Sequence, residues 1–128
     1  MKGETEAKVL IIIPAYNESA NIEKVARHLK NCAPQYDYLI INDGSTDDTL
    51  RICEREHFRY LDLPINLGIG GAVQAGYVYA HKNDYDIAVQ MDGDGQHDIA
   101  YLSDMLQPIL SGKADVVIGS RFLKKEGF

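Results

Sequence analysis

Two acidic residues, one position apart, are the part of this sequence with the clearest chemical potential. Asp92 and Asp94 follow a short apolar run, residues 87–89, that is typical of a buried strand. Alternate side chains of an extended segment face the same side, so the two acids can converge on one point. Two unpaired carboxylates that close repel each other, which favours a divalent cation as their partner. Gly93 and Gly95 remove side-chain bulk from the turn and let a ligand approach the backbone.

Other interpretations of this acidic turn are available. A lone Asp-x-Asp is more often an Asp/Gly-rich surface turn. A calcium-binding EF-hand loop is excluded, because the positions that require Gly and Glu hold His97 and Ser103. A phosphatase of the haloacid dehalogenase type uses a similar turn with its first Asp as nucleophile. That turn comes early in such enzymes and late in this chain, so a phosphatase stays only as a distant alternative.

Composition limits the class of protein. The chain has 128 residues, of which 45% are hydrophobic and 25% charged, as expected for one globular domain. The net charge of −6 leaves no basic stripe to neutralise phosphates, which argues against a nucleic-acid partner.

Sequence features also indicate the compartment. The longest apolar run, residues 9–13, is too short to span a bilayer, and the polar first residues lack the apolar core of a signal peptide. Cys32 and Cys53 lack metal-ligand spacing, so we expect both to be buried free thiols in a reducing compartment. The sequence therefore predicts a cytoplasmic location.

The elements that must position the acidic turn alternate between strand and helix. Buried strands are predicted over residues 9–13, 38–41, 58–63, 85–89 and 116–118, with amphipathic helices between them. We expect Pro14 to end the first strand and Asn17 or Ser19 to cap the first helix. Ser45 and Asp48 have the spacing of a capping box for the second helix. The pattern predicts an α/β fold with a mostly parallel sheet and right-handed crossovers.

Polar clusters follow the strands of this predicted sheet. They are residues 16–18, 42–43, 66, 92–94 and 120–121. Ligands of open α/β sheets bind beyond the carboxyl ends of the strands, where these clusters fall. We therefore predict an active-site rim at that edge.

The glycine-rich segment after the third strand has two interpretations. Its spacing fails the dinucleotide-binding pattern, because Val73 stands where a third small residue is needed. The glycines could serve close helix packing, an explanation that suffices for Gly76. Alternatively, the N–H groups of Gly70 and Gly71 could bind a phosphate at a helix N-terminus.

Five segments together resemble one known family. In order and spacing, residues 13–18, 42–47, 66–68, 92–97 and 117–121 resemble the family 2 glycosyltransferases of GT-A fold. The branch of dolichyl-phosphate and bacterial polyprenyl-phosphate sugar transferases is the most similar. Each motif alone is weak, but five in sequence, each after its own strand, make a strong signal over nearly the whole chain.

The resemblance implies roles for residues that would hold a nucleotide-sugar donor. The first loop would hold the nucleoside through Pro14, Ala15, Tyr16 and Glu18. Asp43 would hydrogen-bond the base or ribose. Asn42 replaces an acid often found in the family, so the identity of the base stays open. Asn66, Gly70 and Gly71 would lie beneath the nucleotide, although Ile69 stands where many relatives carry a basic residue.

The resemblance also implies a metal site and a phosphate contact. Asp92, Asp94 and Gln96 would hold Mg²⁺ or Mn²⁺ against the donor diphosphate, with Gly93 in the same turn. Arg121 would meet a phosphate of donor or acceptor. Asp92, Asp94 and Arg121 are thus the expected catalytic residues.

The expected function follows from the resemblance. It is inverting, metal-dependent transfer of a sugar from a UDP- or GDP-sugar to a polyprenyl-phosphate or saccharide acceptor, of the kind used for cell-envelope polysaccharides. A non-catalytic module that binds nucleoside diphosphate, and the phosphatase-like enzyme, remain as alternatives. Relatives are longer, so we expect residues 1–128 to be a single domain, the donor-binding part without the acceptor half. Membrane association would need parts outside this sequence, and exposed apolar surface could lead to homo-oligomers.

Overall fold

The described part of the chain forms a five-stranded sheet with helices on both faces. The computed structural model describes residues 8–91 and 122–124. The strands are β1 (Val9–Ala15), β2 (Asp37–Asp43), β3 (Tyr60–Leu63), β4 (Ile87–Gln90) and β5 (Phe122–Lys124), and the helices are α1 (Ile22–Cys32), α2 (Thr49–Arg55) and α3 (Gly68–Lys82). The strand order is β3-β2-β1-β4-β5. The predicted alternation of strand and helix is confirmed for these residues.

The sheet is parallel except at one edge. β1 pairs in parallel with β2 and β4, and β2 pairs in parallel with β3. β5 runs antiparallel to β4, and the sequence had not indicated it. The predicted strand at 116–118 and the preceding amphipathic helix lie outside the described residues.

Central strand β1 is buried on both faces, which explains its continuous apolar sequence. Val9, Ile11 and Ile13 belong to the core shared with α1 and α2. Leu10 and Ile12 belong to a second core beneath α3. Gly76 allows α3 to approach closely, because a Cβ there would lie 2.5 Å from Cγ2 of Ile12. The packing interpretation of Gly76 is thus confirmed.

Pro14 does not end the first strand as expected. β1 continues to Ala15, and Pro14 pairs with Ile41 of β2. Ile12 faces β4, since its carbonyl accepts the Met91 N–H at 2.8 Å. Pro14 lies two residues after Ile12, so its backbone nitrogen faces the same side of β1. The pairing of β1 with β4 ends at Ile12. The missing N–H of Pro14 therefore removes no hydrogen bond between these strands.

The predicted helix caps are also wrong. α1 begins after Asn21, and α2 begins after Asp48, without a side-chain capping bond at either residue. Asn17 and Ser45 contact each other instead, because the Asn17 N–H donates to Ser45 Oγ at 3.0 Å. A long-range partner replaces the local cap that each sequence pattern indicated.

The two cysteines differ. Cys32 is exposed, contrary to expectation, because it lies at the end of α1 outside the apolar face. Cys53 is buried as predicted, and burial raises the pKa of its thiol to about 11. Of the helices that the structure describes, none has the length and apolar character to cross a membrane.

Candidate functional site

The carboxyl ends of β1, β2 and β3 lie side by side. Ala15 pairs with Asn42, and Asn42 pairs with Asp62 on the next strand. The loops that leave these strands therefore start at one edge of the sheet, as predicted. We call residues 16–21 the first loop, 44–48 the second loop and 64–67 the third loop.

Asp43, at the end of β2, binds the third loop. It is only 3% exposed. Its Oδ1 accepts the Leu67 N–H at 2.7 Å, and its Oδ2 accepts the Asn66 side-chain amide at 3.3 Å. The same amide donates to the Asp43 carbonyl at 3.0 Å. Since Leu67 directly precedes α3, Asp43 satisfies a backbone donor at the start of that helix.

Gly44 allows the third loop to approach the second loop closely. Its φ of 69° lies in the left-handed region, which a glycine adopts without steric cost. A Cβ at this position would lie 2.5 Å from the backbone nitrogen of Asn66. Both the conformation and the contact therefore require glycine.

Asn17 connects the first and second loops. Its Oδ1 accepts the Thr46 N–H at 2.8 Å, the Asp47 N–H at 3.2 Å and the Thr46 hydroxyl at 3.3 Å. Its own backbone has a φ of 56°, which Asn tolerates better than most residues. The second loop thus wraps around one amide oxygen of the first.

Asp47 and Thr49 form a second connection between the same loops. Asp47 accepts hydrogen bonds from the Ser19 N–H at 3.1 Å and from the Thr49 N–H at 2.9 Å. The fully buried Thr49 hydroxyl donates to Asp47 at 2.5 Å and accepts the Glu18 N–H at 3.0 Å. Partial burial raises the pKa of Asp47, but the bonds from Thr49 and Ser19 outweigh that effect and lower it to about 2. The Asp47 carboxylate is therefore charged at neutral pH.

The start of α3 offers backbone donors at the same edge. A helix that begins at Gly68 leaves the N–H groups of Gly68, Ile69 and Gly70 without partners inside the helix. Gly71, in contrast, is one residue too far along, because its N–H bonds the Leu67 carbonyl in regular helix geometry. Helix geometry therefore favours the Gly70 amide over that of Gly71 as a phosphate donor, and both assignments stay predictions.

Several apolar side chains of this edge face solvent. Tyr16 is 48% exposed in the first loop, while Ile65 is 64% and Leu67 51% exposed in the third loop. Ile69, in the first turn of α3, is 60% exposed. Tyr16 presents an aromatic ring beside a polar loop, as a stacking partner would.

Asn42, near the end of β2, is buried against β3. It is 2% exposed, and its amide donates to Asp62 Oδ1 at 2.8 Å. Its own Oδ1 is buried without a partner among the described residues. An acid at this position would place a second carboxylate against Asp62, so the amide suits this neighbour.

The remaining predicted site residues lie outside the described residues. They are Asp92, Gly93, Asp94, Gln96 and Arg121. The structure describes the chain up to the residue before Asp92. β4 ends at Gln90 beside β1, and the Met91 N–H still donates to the Ile12 carbonyl. Asp92 is the next residue of the sequence.

Sequence reasoning missed the residues that connect the loops. The sequence patterns indicate Asn17 as a helix cap and as a member of the polar rim at residues 16–18, and they give Asp47 and Thr49 no role of their own. The left-handed tendency of Asn was the one available signal for Asn17. Its partners are about 30 positions away in the chain, which no local pattern reveals.

Comparison with known proteins assigns the family. The model described as "Glycosyl transferase family 2" matches residues 10–128. The chain therefore belongs to glycosyltransferase family 2, as the motifs had indicated.

Two similar proteins are named as enzymes that act on polyprenyl phosphates. The chain is 32% identical over 122 residues to polyprenol monophosphomannose synthase of Mycolicibacterium smegmatis, covering 91% of this chain and 46% of that protein. It is 35% identical over 119 residues to undecaprenyl-phosphate mannosyltransferase of Micrococcus luteus, covering 89% and 48%. The chain thus spans about half the length of these curated relatives.

Solved structures share the fold. Glucosyl-3-phosphoglycerate synthase from Mycobacterium tuberculosis, in complex with Mn²⁺, UDP and glucosyl-3-phosphoglycerate, superposes with a TM-score of 0.70 at 23% identity. The match covers 84% of this chain and 41% of that one. The fold is accordingly the GT-A fold, as predicted.

Proposed function

We propose that this chain is the donor-binding part of an inverting, metal-dependent glycosyltransferase that uses a nucleoside-diphosphate sugar. One observation carries the proposal: at the carboxyl edge, Asn17 of the first loop is hydrogen-bonded to the second loop, and Asp43 at the end of β2 is hydrogen-bonded to the third loop. This is the edge at which open α/β sheets bind ligands. Membership of glycosyltransferase family 2 makes a nucleotide-sugar the ligand that fits.

The nucleoside would lie between the first loop and Asp43. Pro14, Ala15, Tyr16 and Glu18 would form one wall, with the half-exposed Tyr16 ring able to stack on a base. Asp43 uses one acceptor site on each carboxylate oxygen for Leu67 and Asn66. Each oxygen has a further lone pair, so the carboxylate can still accept a base N–H or a ribose hydroxyl.

The diphosphate would lie at the start of α3. Its partners would be the N–H group of Gly70 and those of the two residues before it, where the helix dipole favours negative charge. Asn66 and the glycine-rich turn would lie beneath the nucleotide. Ile69 has no charge with which to bind the diphosphate, so backbone N–H donors would bind it in place of a basic side chain.

The metal site would follow β4 directly. Asp92, Asp94 and Gln96 are an all-oxygen set, which suits Mg²⁺ or Mn²⁺. A bound divalent ion supplies Lewis-acid stabilisation of the nucleoside-diphosphate leaving group. Arg121 would add a bidentate contact to a phosphate oxygen.

The acceptor would be a polyprenyl phosphate. The names of the M. smegmatis and M. luteus relatives support this choice over a saccharide. A lipid phosphate is already ionised, so its oxygen can attack the anomeric carbon without a strong general base. Attack from the face opposite the leaving group inverts the anomeric configuration.

Replacing Asp43 tests the nucleoside site. Asp43→Ala should weaken binding of UDP or GDP with or without Mn²⁺, because the lost contact is to the nucleoside. Asp48→Ala is a matched control from the second loop, since among the described residues that exposed carboxylate makes a single 3.7 Å ion pair, with Arg51. Titration calorimetry measures both variants. Equal affinities for the parent chain and Asp43→Ala would remove Asp43 from the site.

A further inference from the structure

We propose that Asn17 is the positioning residue of this site: its side-chain oxygen holds the second loop against the first and so shapes the nucleotide pocket before a ligand arrives. The inference rests on the proposed function for its consequence in binding. Its structural basis, the contact between the two loops, stands independently. No ligand contact is assigned to Asn17 itself.

Asn17 both accepts and donates hydrogen bonds between the first and second loops. Its side-chain oxygen accepts from Thr46 N at 2.8 Å and Asp47 N at 3.2 Å, while its own N–H donates to Ser45 Oγ at 3.0 Å. Two consecutive backbone amides of the second loop are thereby tied to one atom. Among the described residues, this oxygen is the acceptor of both amides.

The conformation of Asn17 limits which residues can do this. At a φ of 56°, most side chains are strained, whereas Gly and Asn are tolerated. Glycine fits the backbone but lacks the acceptor oxygen. Asp keeps an acceptor in the same place, so acceptor and backbone conformation can be separated by substitution.

The position of Asn17 explains why the nucleotide site would depend on it. Tyr16, the half-exposed aromatic residue of the first loop, directly precedes it. Glu18, on the other side, is fixed by the buried Thr49 hydroxyl at 3.0 Å. The bonds of Asn17 and Glu18 to the second loop and to Thr49 therefore fix the backbone next to Tyr16. A loop that is already ordered in the free protein loses less conformational entropy when a ligand binds, so its order contributes to affinity.

The test compares Asn17→Gly with Asn17→Asp. The primary readout is hydrogen exchange of the Thr46 and Asp47 amides in the folded chain, followed by NMR. Asn17→Gly should lose protection of both amides, and Asn17→Asp should keep it. For nucleotide affinity, we expect a loss of roughly tenfold in Asn17→Gly and of about threefold or less in Asn17→Asp.

A matched control separates this effect from the introduction of a glycine. His57 also has a positive φ, 58°, and lies in the turn between α2 and β3, away from the site. His57→Gly should leave the amide protection and the nucleotide affinity unchanged.

The outcomes separate this inference from the proposed function. Unchanged exchange of Thr46 and Asp47 in Asn17→Gly would overturn the positioning role, whatever the chain binds. Lost exchange protection with no nucleotide binding by the parent chain would support the contact between the loops and contradict the nucleotide site. Lost protection with unchanged affinity would overturn the claim that the contact shapes the pocket.

Discussion

The loops at the carboxyl edge and the surface between α1 and α2 are held by different kinds of contact. In the loops, side-chain oxygens of Asn17, Asp43 and Asp47 accept backbone N–H groups of other loops. On the surface of the helices, Arg27 pairs with Glu23 within α1 and with Glu56 directly after α2, and Arg55 of α2 pairs with Glu23, mostly through exposed side chains. The first kind fixes the course of the main chain, and the second joins flexible side chains that water can also satisfy. We therefore expect substitutions in the loops to affect both stability and binding, and those on the helical surface to affect neither strongly.

Gly44→Ala should have the largest effect. The left-handed conformation costs a non-glycine residue roughly 1–2 kcal/mol, and the contact of the new Cβ with Asn66 adds roughly 1–3 kcal/mol. We expect urea unfolding to show a destabilisation of about 3 kcal/mol, with weaker nucleotide binding. Gly70→Ala is the control, because a Cβ there meets nothing within 4 Å and Ala favours a helix. If both variants unfolded at the same urea concentration, the close approach of the second and third loops would be refuted.

Asp43→Ala should follow, with a loss of about 2 kcal/mol in unfolding free energy. The substitution removes the acceptor of the Leu67 N–H and one of the two acceptors of the Asn66 amide. Asp43→Asn keeps one side-chain oxygen and should recover part of the stability. Parent-like stability of Asp43→Ala would contradict its capping role at α3.

Asp47 gives the loops a dependence on pH. Its pKa is depressed in the folded state, to about 2, so the stability it adds is present above the unfolded pKa of roughly 4. That contribution should be lost as the pH falls from about 4 towards 2, when the carboxylate becomes protonated. Thermal unfolding of the parent and Asp47→Asn should therefore differ at pH 6 and converge at low pH. A gap that stays constant over this range would show that the charge of Asp47 is not what holds the loops.

Arg27→Ala should have the smallest effect. Its side chain is 53% exposed, and ion pairs of this kind contribute about 0–1 kcal/mol. Nucleotide affinity should be unchanged. An affinity loss similar to that of Asp43→Ala would mean that the helical surface and the loops are coupled, against the distinction made above.

Much of the fold could be predicted because its signals are local. The continuous apolar residues of β1 and the helical spacing of Ile22, Val25 and Leu29 identified buried elements correctly. The polar clusters at residues 16–18, 42–43 and 66 indicated correctly that the loops after β1, β2 and β3 share one edge of the sheet. β5 could not be predicted, since a short strand at the sheet edge is decided by its partner, β4, and not by its own pattern.

The contacts within the site could not be predicted for a related reason. Asn17, Ser45 and Asp48 have the types and spacings of helix caps, and a local interpretation assigns them so. In the folded chain, distant loops offer Asn17 and Ser45 better partners than the nearest helix does. The family motifs at residues 13–18, 42–47 and 66–68 lie at the loops of this edge, whereas the bonds that join the loops depend on the tertiary structure.

The most direct test is a calorimetric titration of UDP and GDP, each with Mn²⁺ and again with EDTA, using the parent chain and Asp94→Asn. The proposed site predicts metal-dependent binding of one nucleotide by the parent chain. It also predicts loss of the metal-dependent part in Asp94→Asn, with thermal unfolding largely unchanged, because removing one of two adjacent acids relieves repulsion. The account would be contradicted if the folded parent chain bound neither nucleotide, or if EDTA and Asp94→Asn left the affinity unchanged.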